Sequence, residues 1–230
     1  MDKHIQRKRL INKMKSLEQK KQYTMFDLEI TDNDIWYFKN VISYPEELIN
    51  FLNDLDNDKE TFDIISKWND WFSSDKNMCY GDKKTLNDLN FSNKDANTLL
   101  YKKTFYIVNS LKMAFEMCWE KYAKSFNIDL NKYKLSFNNL MIKRYFENVG
   151  MGEHKDFYSN DKDYINKSYT LVLYLNNNYE GGNLYFKEIN KSIKPEAGSL
   201  VIFPAEKIHE SLPTISGRKL FSQITLDFNK

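Results

Sequence analysis

The spacing of apolar residues divides the chain in two. In the first part they recur at helical intervals. Ile5, Leu10, Ile11, Met14 and Leu17 fall near one face of a helix within residues 1–30, with charges between them. Residues 34–42 (DIWYFKNVI) are a compact apolar run that reads as a strand entering a turn. Ser43 can cap the helix that follows, Pro45 suits its first turn, and Glu46 and Glu47 favour the positive end of its dipole; the helix is expected to run to about Leu55. Residues 60–93 show neither period, with Trp68, Trp71 and Phe72 set among polar residues, and are expected to be irregular. Residues 94–125 lack Gly and Pro and carry Leu99, Leu100, Ile107, Val108, Leu111, Ala114, Phe115 and Cys118 at helical spacing, so they predict the longest helix.

After about residue 133 the period shortens. Six of the seven glycines and three of the four prolines lie beyond residue 149, and they punctuate short β-rich runs: LSFNNLMIKRYF, SYTLVLYL, NLYF, SLVIFP and KLFSQITLDF. The separators are residues 150–152, 180–182, 195–198 and 213–217. Short strands at this spacing indicate an antiparallel sandwich or barrel. The fold class expected is α+β. A basic arm or helix over residues 1–30 precedes one domain, with helical support over 31–132 and a strand-rich core over 133–230.

Composition narrows the class. Hydrophobic residues make up 41% and charged residues 29% of the 230, which excludes wholesale disorder. No stretch approaches the length of a membrane span, and the basic N-terminus lacks the apolar core of a secretory signal, so no membrane partner and a cytoplasmic location are expected. Cys79 and Cys118 have no CxxC partner, which argues against a disulfide framework or a cysteine-rich zinc site. Residues 1–21 hold eight Lys/Arg against Asp2 and Glu18, a local charge of +6 that leaves the rest of this +2 chain at −4. Such an arm reads as a solvated appendage before it reads as a polyanion-binding element.

The candidate chemistry lies in the strand-rich part. In His154-Lys155-Asp156 the outer two residues share one side of an extended segment and can offer an imidazole and a carboxylate to one ion. His209, 53 residues after Asp156, can complete a set of two His and one carboxylate, the set used with open coordination positions by non-heme Fe(II) oxygenases. Arg218 and Lys219 open the last strand, where a cation can pair with the far carboxylate of a dicarboxylate that chelates the iron.

With these residues in view, residues 134–228 resemble the catalytic domain of 2-oxoglutarate- and Fe(II)-dependent dioxygenases, on the prolyl 4-hydroxylase-like branch. The resemblance is carried by Arg144-Tyr145, His154-Lys155-Asp156, Tyr174-Leu175-Asn176, the run YEGGNLYF from Tyr179, the run PEAGSLVIFP from Pro195, and His209, Pro213, Gly217, Arg218 and Lys219. It implies a double-stranded β-helix, a distorted jelly roll buttressed by the N-terminal helices. It implies Fe(II) on His154, Asp156 and His209, with 2-oxoglutarate as co-substrate and ascorbate as reductant. The family's basic residue stands nine or ten positions after the second histidine, so Arg218 and Lys219 are both candidates. Pro213, Gly217 and the mixed face Lys219–Phe221–Gln223–Thr225 favour Lys219. Tyr174 matches the tyrosine that reaches the far carboxylate, Thr170 lies on its side of the strand, and Tyr145 matches a tyrosine lining the co-substrate pocket. Residues 157–167 read as a polar loop over the site.

The implied reaction consumes O₂ and 2-oxoglutarate and hydroxylates a C–H bond, releasing succinate and CO₂. By branch the substrate is a prolyl or other amino-acid side chain in a peptide or protein, with a small molecule as the alternative. Nucleic-acid demethylation on the same fold normally uses a second arginine beyond the first, and none follows Arg218. A non-enzymatic jelly-roll binding protein would not need both histidines, the aspartate and the cation together.

Overall fold

In the computed structural model the described residues are 27–32, 34–42, 45–57, 69–70, 79–80, 86–90, 98–133, 135, 137, 140–156 and 168–226. The first strands are β1 (Asp27–Asp32) and β2 (Ile35–Lys39), followed by helix α1 (Pro45–Asn57). Three short strands, β3 (Asn69–Asp70), β4 (Cys79–Tyr80) and β5 (Leu86–Asn90), lead to the long helix α2 (Thr98–Ser125). Next come β6 (Met141–Tyr145), β7 (Gly150–His154), β8 (Tyr169–Tyr174), β9 (Tyr179–Gly181), β10 (Leu184–Phe186) and β11 (Lys191–Ile193). The chain closes with β12 (Leu200–Pro204), β13 (His209–Ser211), β14 (Thr214–Gly217) and β15 (Lys219–Leu226).

These strands form an eight-stranded sheet, ordered β1-β2-β12-β8-β15-β6-β5-β3, and a five-stranded sheet, ordered β11-β10-β13-β7-β4; β14 and β9 form a small third pair. Every pairing is antiparallel. Alternation sorts the larger sheet into two faces. Trp36, Phe38, Leu171, Leu173, Leu200, Ile202, Leu220 and Ile224 pack outward with Leu111, Phe115, Cys118, Trp119 and Tyr122 of α2. Ile35, Tyr37, Tyr145, Val172, Tyr174, Val201, Phe203 and Phe221 pack inward against Met151, Leu184, Phe186 and Ile193 of the smaller sheet. The first layer anchors the helix. The second encloses the space in which the candidate site lies.

Several elements differ from the sequence expectation. Residues 27–30 belong to strand β1 instead of a helix, paired with β2; residues 1–26 lie outside the described residues. The stretch expected to be irregular contributes β3 and β5 to the larger sheet and β4 to the smaller. Residues 150–152, expected as a turn, are extended in β7 because its neighbour comes very close. A Cβ on Gly150 would stand 2.5 Å from the Ser211 carbonyl oxygen, so this strand position excludes any side chain. The separators at 180–182 and 213–217 likewise contain β9 and β14. The loop expected over residues 157–167 lies outside the described residues. No helix among the described residues is long and apolar enough to cross a membrane.

Candidate metal and anion site

Pairing across the smaller sheet brings the histidines together. His154 ends β7 and stands directly opposite His209, which opens β13, with ring centroids 4.3 Å apart. Asp156 lies two residues beyond His154, and its backbone N–H donates to the Ala205 carbonyl at 3.0 Å, tying it to the end of β12. One ligand atom from each of the three residues lies within 4.8 Å of the others. Asp156 and His209 are buried and His154 is nearly so.

Both imidazoles are held from behind. His154 Nδ1 lies 2.7 Å from the Gly152 carbonyl oxygen and His209 Nδ1 lies 2.9 Å from that of Lys207. A carbonyl only accepts, so each Nδ1 carries a proton and each Nε2 is turned inward. Those nitrogens stand 3.3 Å from Asp156 Oδ1 and 3.4 Å from Oδ2. Two imidazole nitrogens and a carboxylate therefore converge, a donor set that suits a divalent metal with nitrogen and oxygen ligands. Burial pushes the Asp156 carboxyl up, but the charge of His209 and hydrogen bonds from both imidazoles outweigh it, and the group is held well below the usual carboxylate range. Its Oδ2 also accepts from Thr170 Oγ1 and from Gln223 Nε2, each at 2.9 Å.

A pocket opens from these ligands, lined by Tyr145, Met151, His154, Val172, Tyr174, Leu184, His209, Ser211, Lys219, Phe221 and Gln223. Lys219 is 1% exposed and forms the polar end of this lining. Its ammonium donates to the Gly182 carbonyl at 2.6 Å and to Ser211 Oγ at 2.7 Å, and sits 5.2 Å from the centre of the Tyr174 ring. The Gly182 carbonyl is aimed there by a left-handed turn (φ +64°), where a Cβ would also crowd Tyr179 and the Lys219 stem. No carboxylate pairs with Lys219 among the described residues, and burial pushes its ammonium down to about 7. A buried lysine without an anion is a site shaped for one. Arg218, its neighbour, faces the other way and donates from Nη2 to Asn53 Oδ1 of α1 at 2.7 Å.

Tyr145 and Tyr174 are both buried cavity residues, and burial keeps the Tyr174 hydroxyl protonated far above its ordinary range. Thr170 shares the Tyr174 face, but its hydroxyl is directed to Asp156 and it is not among the lining residues. Ser211 and Gln223 were not singled out as site residues from sequence. The signal for both was alternation: Ser211 is two residues from His209 on a strand, and Gln223 lies on the Lys219 face.

Residues 140–225 match the profile of the 2OG-Fe(II) oxygenase superfamily. A PKHD-type hydroxylase of Parvibaculum lavamentivorans is 31% identical over 86 residues, 36% of this chain and 39% of the relative, so the chain spans well under half of that relative's length. The fold is shared with the viral collagen prolyl hydroxylase of Paramecium bursaria Chlorella virus-1, at a TM-score of 0.56 and 16% identity, covering 88% of this chain and 100% of that one. A Trichoplax adhaerens prolyl hydroxylase, solved with a peptide fragment of a hypoxia-inducible factor, gives a TM-score of 0.56 at 16% identity over 86% of this chain and 84% of that one.

Proposed function

We propose, from the match of residues 140–225 to the profile of the 2OG-Fe(II) oxygenase superfamily, that the protein is a 2-oxoglutarate- and Fe(II)-dependent dioxygenase acting on a C–H bond of a prolyl side chain in a peptide or protein. The observation that carries this reading is the juxtaposition, in one pocket, of the His154–Asp156–His209 cluster with the buried ammonium of Lys219, which faces no carboxylate among the described residues. The first suits a metal that keeps open positions; the second suits the far carboxylate of a dicarboxylate bound to it.

In this reading His154, Asp156 and His209 hold Fe(II), and their outer hydrogen bonds to Gly152, Lys207, Thr170 and Gln223 fix the ligand orientations. Fe(II) with 2-oxoglutarate supplies the activation of O₂, so that one oxygen atom enters the substrate and the other enters succinate as CO₂ leaves. Lys219 pairs with the C5 carboxylate. Ser211 and the Gly182 carbonyl keep the ammonium in place, and the protonated Tyr174 hydroxyl is a further donor on the same wall. Val172, Leu184 and Phe221 make the remaining wall apolar, which excludes water and strengthens the charge pairing. Arg218 takes no part.

The peptidyl-proline assignment draws support from the branch to which the relatives belong. The test is a panel of proline-containing peptides incubated with protein, Fe(II), 2-oxoglutarate and ascorbate under air. The reading expects a mass gain of one oxygen on a prolyl residue, equimolar with succinate. Succinate without peptide oxidation would reject the substrate class, and neither product would reject the dioxygenase reading.

A further inference from the structure

Asp156 has one oxygen that is already occupied. Each oxygen faces one imidazole, Oδ1 that of His154 at 3.3 Å and Oδ2 that of His209 at 3.4 Å, but among the described residues only Oδ2 also accepts from a hydroxyl and an amide, Thr170 Oγ1 on β8 and Gln223 Nε2 on β15, both at 2.9 Å. Gln223 is itself oriented: Lys143 Nζ on β6 donates to its Oε1 at 3.2 Å. The lysine can only donate and the carboxylate can only accept, so the amide has one orientation that satisfies both. The ammonium also polarises the amide toward a stronger N–H donor. Gln223 is partly exposed and lines the cavity, so its side chain does not fill a core position.

We infer that Gln223, oriented by Lys143, is a positioning residue that keeps Asp156 a one-oxygen ligand. With Oδ2 bound by two donors, only Oδ1 is free to bind a metal. A carboxylate that rotated to bind through both oxygens would close a position the co-substrate and O₂ require. The inference rests on the metal-site reading above. Gln223 acts on the metal through Asp156 and does not touch it.

The test uses the full chain and Co(II), whose visible absorption reports coordination number, with calorimetric titration of the same ion under anaerobic conditions. Gln223→Ala and, separately, Thr170→Val each remove one donor from Oδ2. Each is expected to weaken Co(II) binding by roughly 10- to 100-fold and to change the absorption of the bound ion, while the metal-free melting temperature stays within a few degrees. Lys143→Met is expected to move affinity in the same direction by a smaller factor. Gln223→Asn, one methylene shorter, is expected to recover no more than part of the loss. Wild-type affinity and spectrum in Gln223→Ala would overturn the inference, as would a lowered melting temperature with unchanged metal binding. Absence of Co(II) binding in the wild type would instead reject the metal site itself.

Discussion

Replacing Lys219 with methionine should stabilise the ligand-free protein while destroying its affinity for 2-oxoglutarate. The ammonium is 1% exposed, faces no carboxylate among the described residues, and is pushed by burial from 10.5 to about 7. Between those values the unfolded chain holds a proton that the folded chain has released, so stability rises with pH across the window and the penalty is full below it. The gap of about 3.5 corresponds to a penalty on the order of 5 kcal/mol at pH 6. Methionine removes that penalty but leaves the Gly182 carbonyl and Ser211 hydroxyl without their donor, at roughly 1 kcal/mol each. A net gain of about 2–3 kcal/mol at pH 6 remains. Because the wild type recovers much of its penalty by pH 9, the stability gap between it and the variant should shrink by roughly 2–3 kcal/mol between pH 6 and pH 9. Urea denaturation of both metal-free proteins at the two pH values measures this. In the same variant 2-oxoglutarate binding should weaken by roughly 30- to 5,000-fold, the cost of truncating one partner of a buried charge pair. A variant less stable than wild type at pH 6, or two proteins with parallel pH dependence, would refute the reasoning.

Arg218→Ala removes the contact to Asn53 on the far side of the strand from the pocket, so it should leave the Michaelis constant for 2-oxoglutarate within about twofold and change stability by under roughly 1 kcal/mol; a large rise in that constant would reverse the assignment of Lys219. Gly150→Ala forces a Cβ to within 2.5 Å of the Ser211 carbonyl, so the β7–β13 pairing that aligns His154 with His209 must shift. Denaturation should show a loss of about 1–3 kcal/mol and metal titration a weakened site, and a variant unchanged in both would show that the contact is not constraining. Deleting residues 1–21 should leave 2-oxoglutarate turnover without substrate unchanged, and the full chain should show no salt-sensitive DNA binding; binding lost on deletion would make the basic arm a polyanion contact.

The parts of the fold that declared themselves were those with a clean period. The β8 and β15 alternation separated Leu171, Leu173, Leu220 and Ile224, which meet α2, from Val172, Tyr174, Lys219 and Phe221, which line the interior. The His154-x-Asp156 spacing was legible because two residues apart on an extended segment means one side of it. What escaped was set by partners instead of by local pattern. Gly150 looks like a turn residue until the close approach of Ser211 is known. Strands β3, β4 and β5 are two to five residues long and owe their extension to pairing, β5 with β6, β3 with β5 and β4 with β7. The polar groups that finish the site, the Gln223 amide that donates to Asp156 and the Ser211 hydroxyl that accepts from Lys219, belong to common residues whose roles arise only from where Asp156 and Lys219 are placed.

The central claim is that the three ligands and Lys219 form one working site for Fe(II) and 2-oxoglutarate. The most direct measurement is succinate formed from 2-oxoglutarate under air with added Fe(II), in the wild type and in His209→Ala. The account expects wild-type succinate that disappears when Fe(II) or O₂ is withheld, and none above background in a folded His209→Ala protein. Equal succinate from both proteins, or none from a wild type shown to bind the metal and 2-oxoglutarate, would contradict it.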